Sequence, residues 1–374
     1  MEPKEINTKK KKKQTIANVV FLIALTIMVL SLFLSFGEMD QIKDSLLNIF
    51  NGKNYIYIII ALVILILYYI LYPVSIILFS KDYKDKISVR DSYLIGCSEH
   101  YYNSITPFAS GGQPFQIYSY KRHNISTSDA TGIVLVNFVA FELTLNIYGI
   151  ISLFFFNTFV SSFETLGIGW MIYLVPLGFF FNFIFLVFII SLGTSKHIRN
   201  FLILSLKTIC KINFIGKHLT KKIPPFEEYC FNYQEVFKKI WSNKSRFLLG
   251  LLSDIVDMGL FYLIPYFIMK AVGIDVQTND ILLVILGTSF ASCAVCYIPT
   301  PGGTGGIEYA FAIVIASVTS VSSIGSANAI ALLWRLLTYY IVLFVSFILN
   351  VILEKITRKK ENLESENQTT GITK

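Results

Sequence analysis

The chain has 374 residues, with 32 Lys and Arg against 24 Asp and Glu, which gives a net charge of +8. Hydrophobic residues make up 54% of the chain and charged residues 15%, against about a quarter in an average soluble domain. The apolar residues lie in blocks of about 18 to 26, long enough to cross a bilayer. A soluble globular protein, a disordered chain and a disulfide-stabilised scaffold are therefore excluded, and the five scattered cysteines indicate no oxidised framework.

Eight apolar segments predict an all-α polytopic membrane protein with about six to eight transmembrane helices. In chain order they are Thr15–Phe36, Tyr55–Phe79, Thr131–Phe156, Trp170–Leu192, Phe247–Met269, Ile281–Ile298, Ile307–Val321 and Ile330–Leu353. Two of them, Ile281–Ile298 and Ile307–Val321, are short. They either cross the membrane separately or enter it together as a re-entrant hairpin, and the sequence leaves both forms open.

The basic residues predict the orientation, because Lys and Arg stay with cytoplasmic loops. Of the 32 basic residues, 28 lie before the first apolar segment, within 80–127, within 194–246 or after the last segment. The other loops contain only Lys43, Lys53 and Lys270. Both termini are therefore expected on the cytoplasmic side.

The same map predicts the domain organisation. We expect a basic cytoplasmic tail over 1–14, a single membrane domain over 15–353 and a polar cytoplasmic tail over 354–374. The membrane domain includes a basic cytoplasmic insert over 194–245, whose stretch Phe226–Trp241 has the aromatic, amphipathic pattern of an interfacial helix.

Two helix breaks share one pattern. Thr106–Gly112 and Thr300–Gly306 both begin with Thr-Pro and end with Ser or Thr followed by Gly-Gly. The arms around the first break, 91–105 and 113–120, are each too short to span, which predicts a re-entrant hairpin. The recurrence predicts an internal repeat. The repeat is inverted if both breaks are re-entrant, and parallel if the two segments around the second break each span the membrane. We favour the inverted form. In many transporters an inverted repeat places the substrate site near the midplane of the membrane.

The two breaks are candidate phosphate sites. Pro and Gly end a helix, and the N-terminus of the helix that follows carries free N–H donors and a partial positive charge. The alternative is that the breaks are tight turns between packed helices. The candidate substrate-binding residues are Thr106, Ser110, Gly111, Gly112, Thr300, Gly302, Gly303, Thr304, Gly305 and Gly306.

Five ionisable residues occur inside the apolar segments, where an unpaired charge is costly. They are Glu142, Asp254, Asp257, Glu308 and Arg335. Asp254 and Asp257 are three residues apart and so share a helix face. Arg335 either forms a structural ion pair or holds an anionic phosphate. The surplus of acids suits a cationic headgroup or protons.

No motif indicates a metal, a cofactor or ATP-driven transport. The four histidines lack metal-ligand spacing, and no phosphate-binding loop, catalytic-serine or dinucleotide motif occurs. We therefore expect no cofactor and no metal. Because the orientation in the membrane accounts for the positions of the basic residues, we also expect no nucleic-acid partner.

Three runs, Ile105–Tyr118, Pro299–Glu308 and Leu332–Tyr340, resemble in sequence and order the lysylphosphatidylglycerol synthase transmembrane (flippase-like) family. This is the membrane half of the bacterial multiple peptide resistance factor, and the resemblance extends from the first apolar segment to the last. It implies transport of an aminoacylated phospholipid, such as lysyl-phosphatidylglycerol, to the outer leaflet of a bacterial cell membrane, which gives resistance to cationic antimicrobial peptides. It also implies that the glycine breaks, Glu308 and Arg335 are functional.

Full-length members of that family carry a soluble domain that transfers lysine from charged tRNA to the lipid. The tail 354–374 is too short and polar to fold as such a domain, so we expect a transporter rather than an enzyme. The alternatives are an enzyme acting in lysyl-phosphatidylglycerol synthesis, with intramembrane carboxylates as acid and base, and a membrane partner of a separate lipid synthase. Whether the chain forms a homo-oligomer stays open.

Overall fold

The computed structural model describes residues 39–106, 109–159, 174–210, 223–295 and 324–369. The described residues form helices and connecting turns, with no strand among them, which confirms the all-α class. The helices are α1 (Met39–Asn48), α2 (Tyr55–Leu71), α3 (Val74–Ser80), α4 (Val89–Ser104), α5 (Gly112–Arg122), α6 (Thr127–Phe154), α7 (Leu174–Thr194), α8 (Lys196–Ile209), α9 (Ile223–Ser242), α10 (Lys244–Ala271), α11 (Ile281–Val295), α12 (Ile324–Arg335) and α13 (Val342–Thr369).

Five helical stretches are long and apolar enough to cross a membrane, which confirms the polytopic fold. They are Tyr55–Tyr83, Thr127–Phe154, Pro176–Thr194, Lys244–Ala271 and Ala329–Leu363. Each coincides with one of the predicted apolar segments. Helix α11 is shorter, at 15 residues, so it extends about 22 Å against a hydrocarbon core of about 30 Å. The predicted segments Thr15–Phe36 and Ile307–Val321 lie outside the described residues.

Helix α7 has the surface of a lipid-facing helix. Its phenylalanine rings are exposed over several turns, at Phe180, Phe181, Phe183, Phe185 and Phe188. An apolar surface of this extent is unfavourable in water but is stable against acyl chains.

Helix α10 is central, because it packs against α2, α3, α6, α11 and α12. Two apolar cores form around it. One joins α2, α10, α11 and α12 through side chains such as Ile264, Phe290 and Trp334. The other joins α3, α4, α5, α6 and α9 through side chains such as Phe79 and Val136.

The first Thr-Pro/Gly-Gly break separates α4 from α5 and produces a hairpin. Ser88 caps α4 by accepting a hydrogen bond from the N–H of Asp91 at 3.1 Å. Helix α4 ends at Ser104, and α5 begins at Gly112 and packs back against α4. Between them Ala109 takes the left-handed backbone conformation, with φ of 48°. We call α4, the turn and α5 the first hairpin.

Both ends of the first hairpin contact the C-terminal part of α13. At the start of α4, the buried carboxylate of Asp91 pairs with Lys360. At the end of α5, Arg122 donates to Glu354 at 2.7 Å and to Glu361 at 2.8 Å. The hairpin therefore returns to the side from which it starts, which supports the re-entrant interpretation. The internal repeat stays a prediction, since the second break lies outside the described residues.

The two basic groups predicted for opposite sides of the membrane lie at opposite ends of α10. At the start of α10, Arg246 pairs with Asp82 at 2.8 Å, and Tyr83 donates to Asp129 at 2.6 Å. At the other end of α10, Lys270 lies 5.8 Å from the ring centre of Tyr57. This arrangement agrees with the division of loops that the Lys and Arg count predicts.

Helix α13 continues beyond the predicted end of the membrane domain at 353. A π-helical turn over Leu336–Ile341 joins it to α12, and α13 then runs to Thr369. The polar tail predicted over 354–374 is therefore helical over its described part. The ion pairs with the first hairpin, and an i,i+4 pair between Glu354 and Arg358 at 3.5 Å, favour the helix there.

Candidate functional site

Three buried carboxylates lie near one another on α4 and α10. Asp254 and Asp257 lie halfway along α10 and are 7% and 5% exposed, and α4 brings Glu99, which is 6% exposed, beside them. Asp254 lies within electrostatic range of both Glu99 and Asp257. We call Glu99, Asp254 and Asp257 the acidic cluster.

Glu99 is held by side-chain donors from several elements. Its Oε2 accepts hydrogen bonds from Gln116 of α5 at 2.7 Å and from the Tyr72 hydroxyl at 3.2 Å. Its Oε1 lies 3.4 Å from the amide nitrogens of Asn103 and Gln113. Burial raises the pKa of Glu99 to about 7, although these hydrogen bonds lower it. Glu99 thus connects the first hairpin to the end of α2.

Aromatic side chains line the acidic cluster. The Tyr68 hydroxyl lies 3.2 Å from Nε2 of His100 and within electrostatic range of Glu99 and Asp257. The Tyr72 ring centre is 3.8 Å from that of His100. Burial lowers the pKa of His100 to about 3, so the imidazole is neutral near pH 7 and supplies no positive charge.

Two oxygens of the cluster have no hydrogen-bond partner among the described residues. They are Oδ2 of Asp254 and Oδ1 of Asp257, both buried. Within the described ranges, no Lys or Arg forms an ion pair with any of the three carboxylates. Among the described residues, no group of three or more His, Cys, Asp or Glu side chains is arranged to hold a metal ion, and this includes the acidic cluster.

Basic residues lie too far along α10 to compensate these charges. Arg246 is eight residues before Asp254 and Lys270 is 13 residues after Asp257, or about 12 Å and about 20 Å along the helix. Of the segments outside the described residues, 14–38, 160–173 and 296–323 contain no Lys, Arg or His, and the basic ones, 1–13, 211–222 and 370–374, belong to the predicted cytoplasmic regions. A buried carboxylate without a fixed cation is unfavourable. The acidic cluster is therefore suited to a cation that enters and leaves, or to protons.

Glu142 is held in a separate network. Its Oε2 accepts a hydrogen bond from Asn182 of α7 at 2.8 Å, and Asn182 in turn accepts one from Asn146 at 2.7 Å. The carboxylate thereby joins α6 to α7. Of the predicted intramembrane acids, the structure brings Asp254 and Asp257 together and places Glu142 with these amides instead.

The first break uses its backbone donors internally. The N–H of Gly111 donates to Oγ1 of Thr106 at 2.9 Å, and the N–H of Gly112 donates to Oδ1 of Asn103 at 2.8 Å. In this conformation, phosphate binding by these groups would require the turn to open. Ser110 is exposed in the same turn.

Close packing explains why the break has glycines. A Cβ at Gly111 would lie 2.7 Å from Cγ2 of Thr106, and one at Gly112 would collide with Cγ of Glu99. A side chain at either position would therefore push the turn away from Glu99 and Thr106. The corresponding candidates of the second break, Thr300, Gly302, Gly303, Thr304, Gly305 and Gly306, lie outside the described residues, as does Glu308.

Arg335 is the last residue of α12 and is 5% exposed. Its guanidinium carbon lies 4.1 Å from the ring centre of Tyr339. Tyr339 donates a hydrogen bond to the carbonyl oxygen of Ser104 at 3.0 Å. Because Ser104 ends α4, Tyr339 connects Arg335 to the first hairpin.

Glu99 was not among the residues that the sequence predicted. The buried charges predicted from the sequence lie in segments long enough to span, whereas α4 is short and mixed in composition. A signal was present nonetheless. Glu99, Asn103, Gln113 and Gln116 are polar residues on two arms predicted to enter the membrane, and such residues face protein or a cavity rather than lipid.

Comparison with known proteins agrees with this architecture. A UPF0104 membrane protein of Archaeoglobus fulgidus is 23% identical over 308 residues, which cover 79% of this chain and 86% of that protein. The family described as the lysylphosphatidylglycerol synthase TM region matches residues 19–346. Since this match includes most of the chain, the protein belongs to the lysylphosphatidylglycerol synthase TM region family.

Proposed function

We propose that the protein is a lipid transporter that moves an aminoacylated phospholipid, such as lysyl-phosphatidylglycerol, to the outer leaflet of a bacterial cell membrane. The observation that carries the proposal is the acidic cluster, which is buried between membrane helices and has no basic partner among the described residues. Lysyl-phosphatidylglycerol carries amino groups that are positively charged near neutral pH, so its headgroup supplies the charge that the cluster lacks.

The surroundings of the cluster suit an ammonium group. Asp254 and Asp257 offer acceptor oxygens without hydrogen-bond partners in the described structure. Tyr68 and Tyr72 lie beside the carboxylates, and aromatic faces attract cations by about 0.5 to 2 kcal/mol. Both features favour a lipid with a charged amine over phosphatidylglycerol itself.

The phosphate of the same lipid needs a separate group. Arg335 is buried near the first hairpin and presents a planar guanidinium, which binds phosphate through paired hydrogen bonds. We propose that Arg335, together with the N–H groups of Gly111 and Gly112 when the turn opens, holds the phosphate. A separate synthase would supply the aminoacylated lipid.

The test is transport by the purified full chain in liposomes. Lysyl-phosphatidylglycerol is placed in the inner leaflet, and its arrival outside is measured with an amine reagent that cannot cross the membrane. We expect faster exposure of lysyl-phosphatidylglycerol than in protein-free vesicles. Phosphatidylethanolamine, whose amine charge is balanced by its phosphate charge, is the control lipid. It should be exposed at the rate measured in protein-free vesicles. Equal rates for both lipids, or no acceleration, would contradict the proposal.

A further inference from the structure

We propose that the acidic cluster exchanges protons for the ammonium group of the lipid, so that lipid leaving the cytoplasmic leaflet is coupled to protons moving inward. This rests on the proposed function and adds its energy source. The observation that carries it is the buried pair Asp254 and Asp257 on α10, each with a carboxylate oxygen that has no hydrogen-bond partner in the described structure, with the buried carboxylate of Glu99 nearby.

Before lipid binds, the cluster has no basic partner among the described residues. Three carboxylates that repel one another in a medium of low dielectric cannot all remain ionised without a counter-charge. The cluster then takes up protons and titrates as a group rather than as separate residues. The unpartnered oxygens of Asp254 and Asp257 are places where such protons can be held.

The charged and titratable groups near the cluster come from α10, from elements packed against α10 and from α4. They are Tyr68 and Tyr72 from α2 and its end, Tyr148 from α6, Tyr262 on α10 itself, Arg335 at the end of α12, and Glu99 and His100 from α4. The tyrosine hydroxyls are neutral near pH 7, and His100 is neutral for the reason given above. Arg335 lies over Tyr339 and is not among the groups within electrostatic range of Asp254 or Asp257. Protons are therefore the counter-charge that these surroundings leave for the cluster before lipid binds.

The ammonium group of the lipid then replaces the proton at the cluster. When the ammonium group arrives, the O–H bond of a cluster carboxyl breaks and its proton passes to water on the side from which the lipid entered. The ammonium then donates hydrogen bonds to the carboxylate. When the lipid leaves on the other side, a proton from water there forms the O–H bond again. One positive charge replaces another, so an uncompensated charge is never left within the membrane.

The direct measurement is proton release on lipid binding. Purified full chain in neutral detergent is titrated with lysyl-phosphatidylglycerol by calorimetry in two buffers of different ionisation enthalpy. We expect about one proton released per lipid bound and an affinity that rises up to about tenfold per pH unit near neutral pH. Phosphatidylglycerol, which lacks the amine, should release none.

Variants locate the source of the proton. Asp257→Asn and, separately, Glu99→Gln should lower the number of protons released and flatten the pH dependence of the affinity. Glu142→Gln is the matched control, because it neutralises a buried acid that lies outside the cluster and accepts a hydrogen bond from Asn182. The number of protons that this variant releases per lipid bound should equal that of the unaltered chain.

The outcomes separate the two proposals. If lysyl-phosphatidylglycerol binds without proton release, proton exchange is wrong and the transport proposal stands. If the lipid does not bind at all, both are wrong. In liposomes, an acidic pH on the receiving side should drive lysyl-phosphatidylglycerol to accumulate there, and accumulation driven by a sodium gradient instead would also overturn proton exchange.

Discussion

At the level of single residues, the buried acids differ in what compensates them. Glu142 accepts a hydrogen bond from Asn182, and that amide is itself oriented by Asn146. Asp254 and Asp257 each keep one oxygen without a hydrogen-bond partner in the described part of the chain. Such unsatisfied groups reduce stability and persist where they serve a ligand. The first acid is therefore a structural link, and the other two are candidate contacts for a mobile cation.

The structural role of Glu142 predicts which substitutions matter. Asn182→Ala removes its donor and leaves a buried carboxyl without a partner, so it should lower the free energy of unfolding by about 1–3 kcal/mol. Glu142→Gln keeps an acceptor oxygen for Asn182 and should cost less than about 1 kcal/mol. Unfolding in mixed micelles measures both. Equal losses from the two variants would contradict this role.

Arg335 offers a second test at this scale. If it binds lipid phosphate, Arg335→Lys keeps the charge but loses the paired hydrogen bonds. The variant should then fold normally and bind lysyl-phosphatidylglycerol at least about tenfold more weakly, a loss of about 1.4 kcal/mol. Thermal unfolding and lipid titration of the same preparation give both values. Normal lipid affinity in a folded Arg335→Lys would contradict phosphate binding.

At the level of elements, the first hairpin is fixed at its base and carries Glu99 of the acidic cluster further along α4. Its two ends are bound to α13 through Asp91 and Arg122, while Glu99 lies two turns further along α4. Because Glu99 also bonds residues of α5, a shift of the hairpin would carry the carboxylate with it. The contacts with α13 therefore determine where Glu99 stands relative to α10.

Reversing charges at the base tests this connection. Arg122→Glu should break its pairs with Glu354 and Glu361 and lower the free energy of unfolding by about 1–3 kcal/mol, since the side chains are only partly exposed. Adding Glu354→Arg and Glu361→Arg should recover most of that loss. A triple variant no more stable than Arg122→Glu would show that these pairs do not hold the hairpin.

The pair between Asp91 and Lys360 should be insensitive to pH between about 8 and 9. Burial raises the pKa of Asp91, but the hydrogen bond and charge of Lys360, with a smaller contribution from His123, outweigh it and leave the pKa below its ordinary value. A lowered carboxyl pKa stabilises the fold above the unfolded pKa of about 4, and that contribution is lost only as the pH falls through the folded pKa. Lys360→Gln should therefore lower the melting temperature equally at about pH 8 and about pH 9, where a lysine ordinarily keeps its charge. A loss at only one of the two pH values would contradict this prediction.

At the scale of the whole molecule, charge and apolar surface together define an axis. Basic segments meet near the start of α10, and the few basic residues of the other loops lie near its end. The exposed phenylalanines lie on α7, which packs against α6 and α11. This division supports a chain that crosses the membrane along α10, with the basic end in the cytoplasm.

Labelling of single cysteines tests that orientation. In a background without the five native cysteines, Lys53→Cys should react with an impermeant thiol reagent in intact cells, and Lys84→Cys should react only after permeabilisation. Both positions are exposed in the structure. The reverse pattern would overturn the orientation.

The sequence predicted the parts that depend on local pattern. Apolar length identified the spans, and the spacing of three residues placed Asp254 and Asp257 on one face. The pairing of Arg122 with Glu361 joins residues 239 positions apart, which no local pattern reveals. Glu99 was missed for a related reason, because its environment is built from α2, α4, α5 and α10 together.

The central claim is that the acidic cluster receives the cationic headgroup during transport. The most direct measurement is the initial rate at which lysyl-phosphatidylglycerol becomes exposed in liposomes that contain the unaltered chain, Glu99→Gln/Asp257→Asn or Glu142→Gln. We expect the double variant to lose at least about tenfold in rate, or about 1.4 kcal/mol of barrier, and Glu142→Gln to match the unaltered chain. A folded double variant that moves the lipid at the unaltered rate would contradict the account.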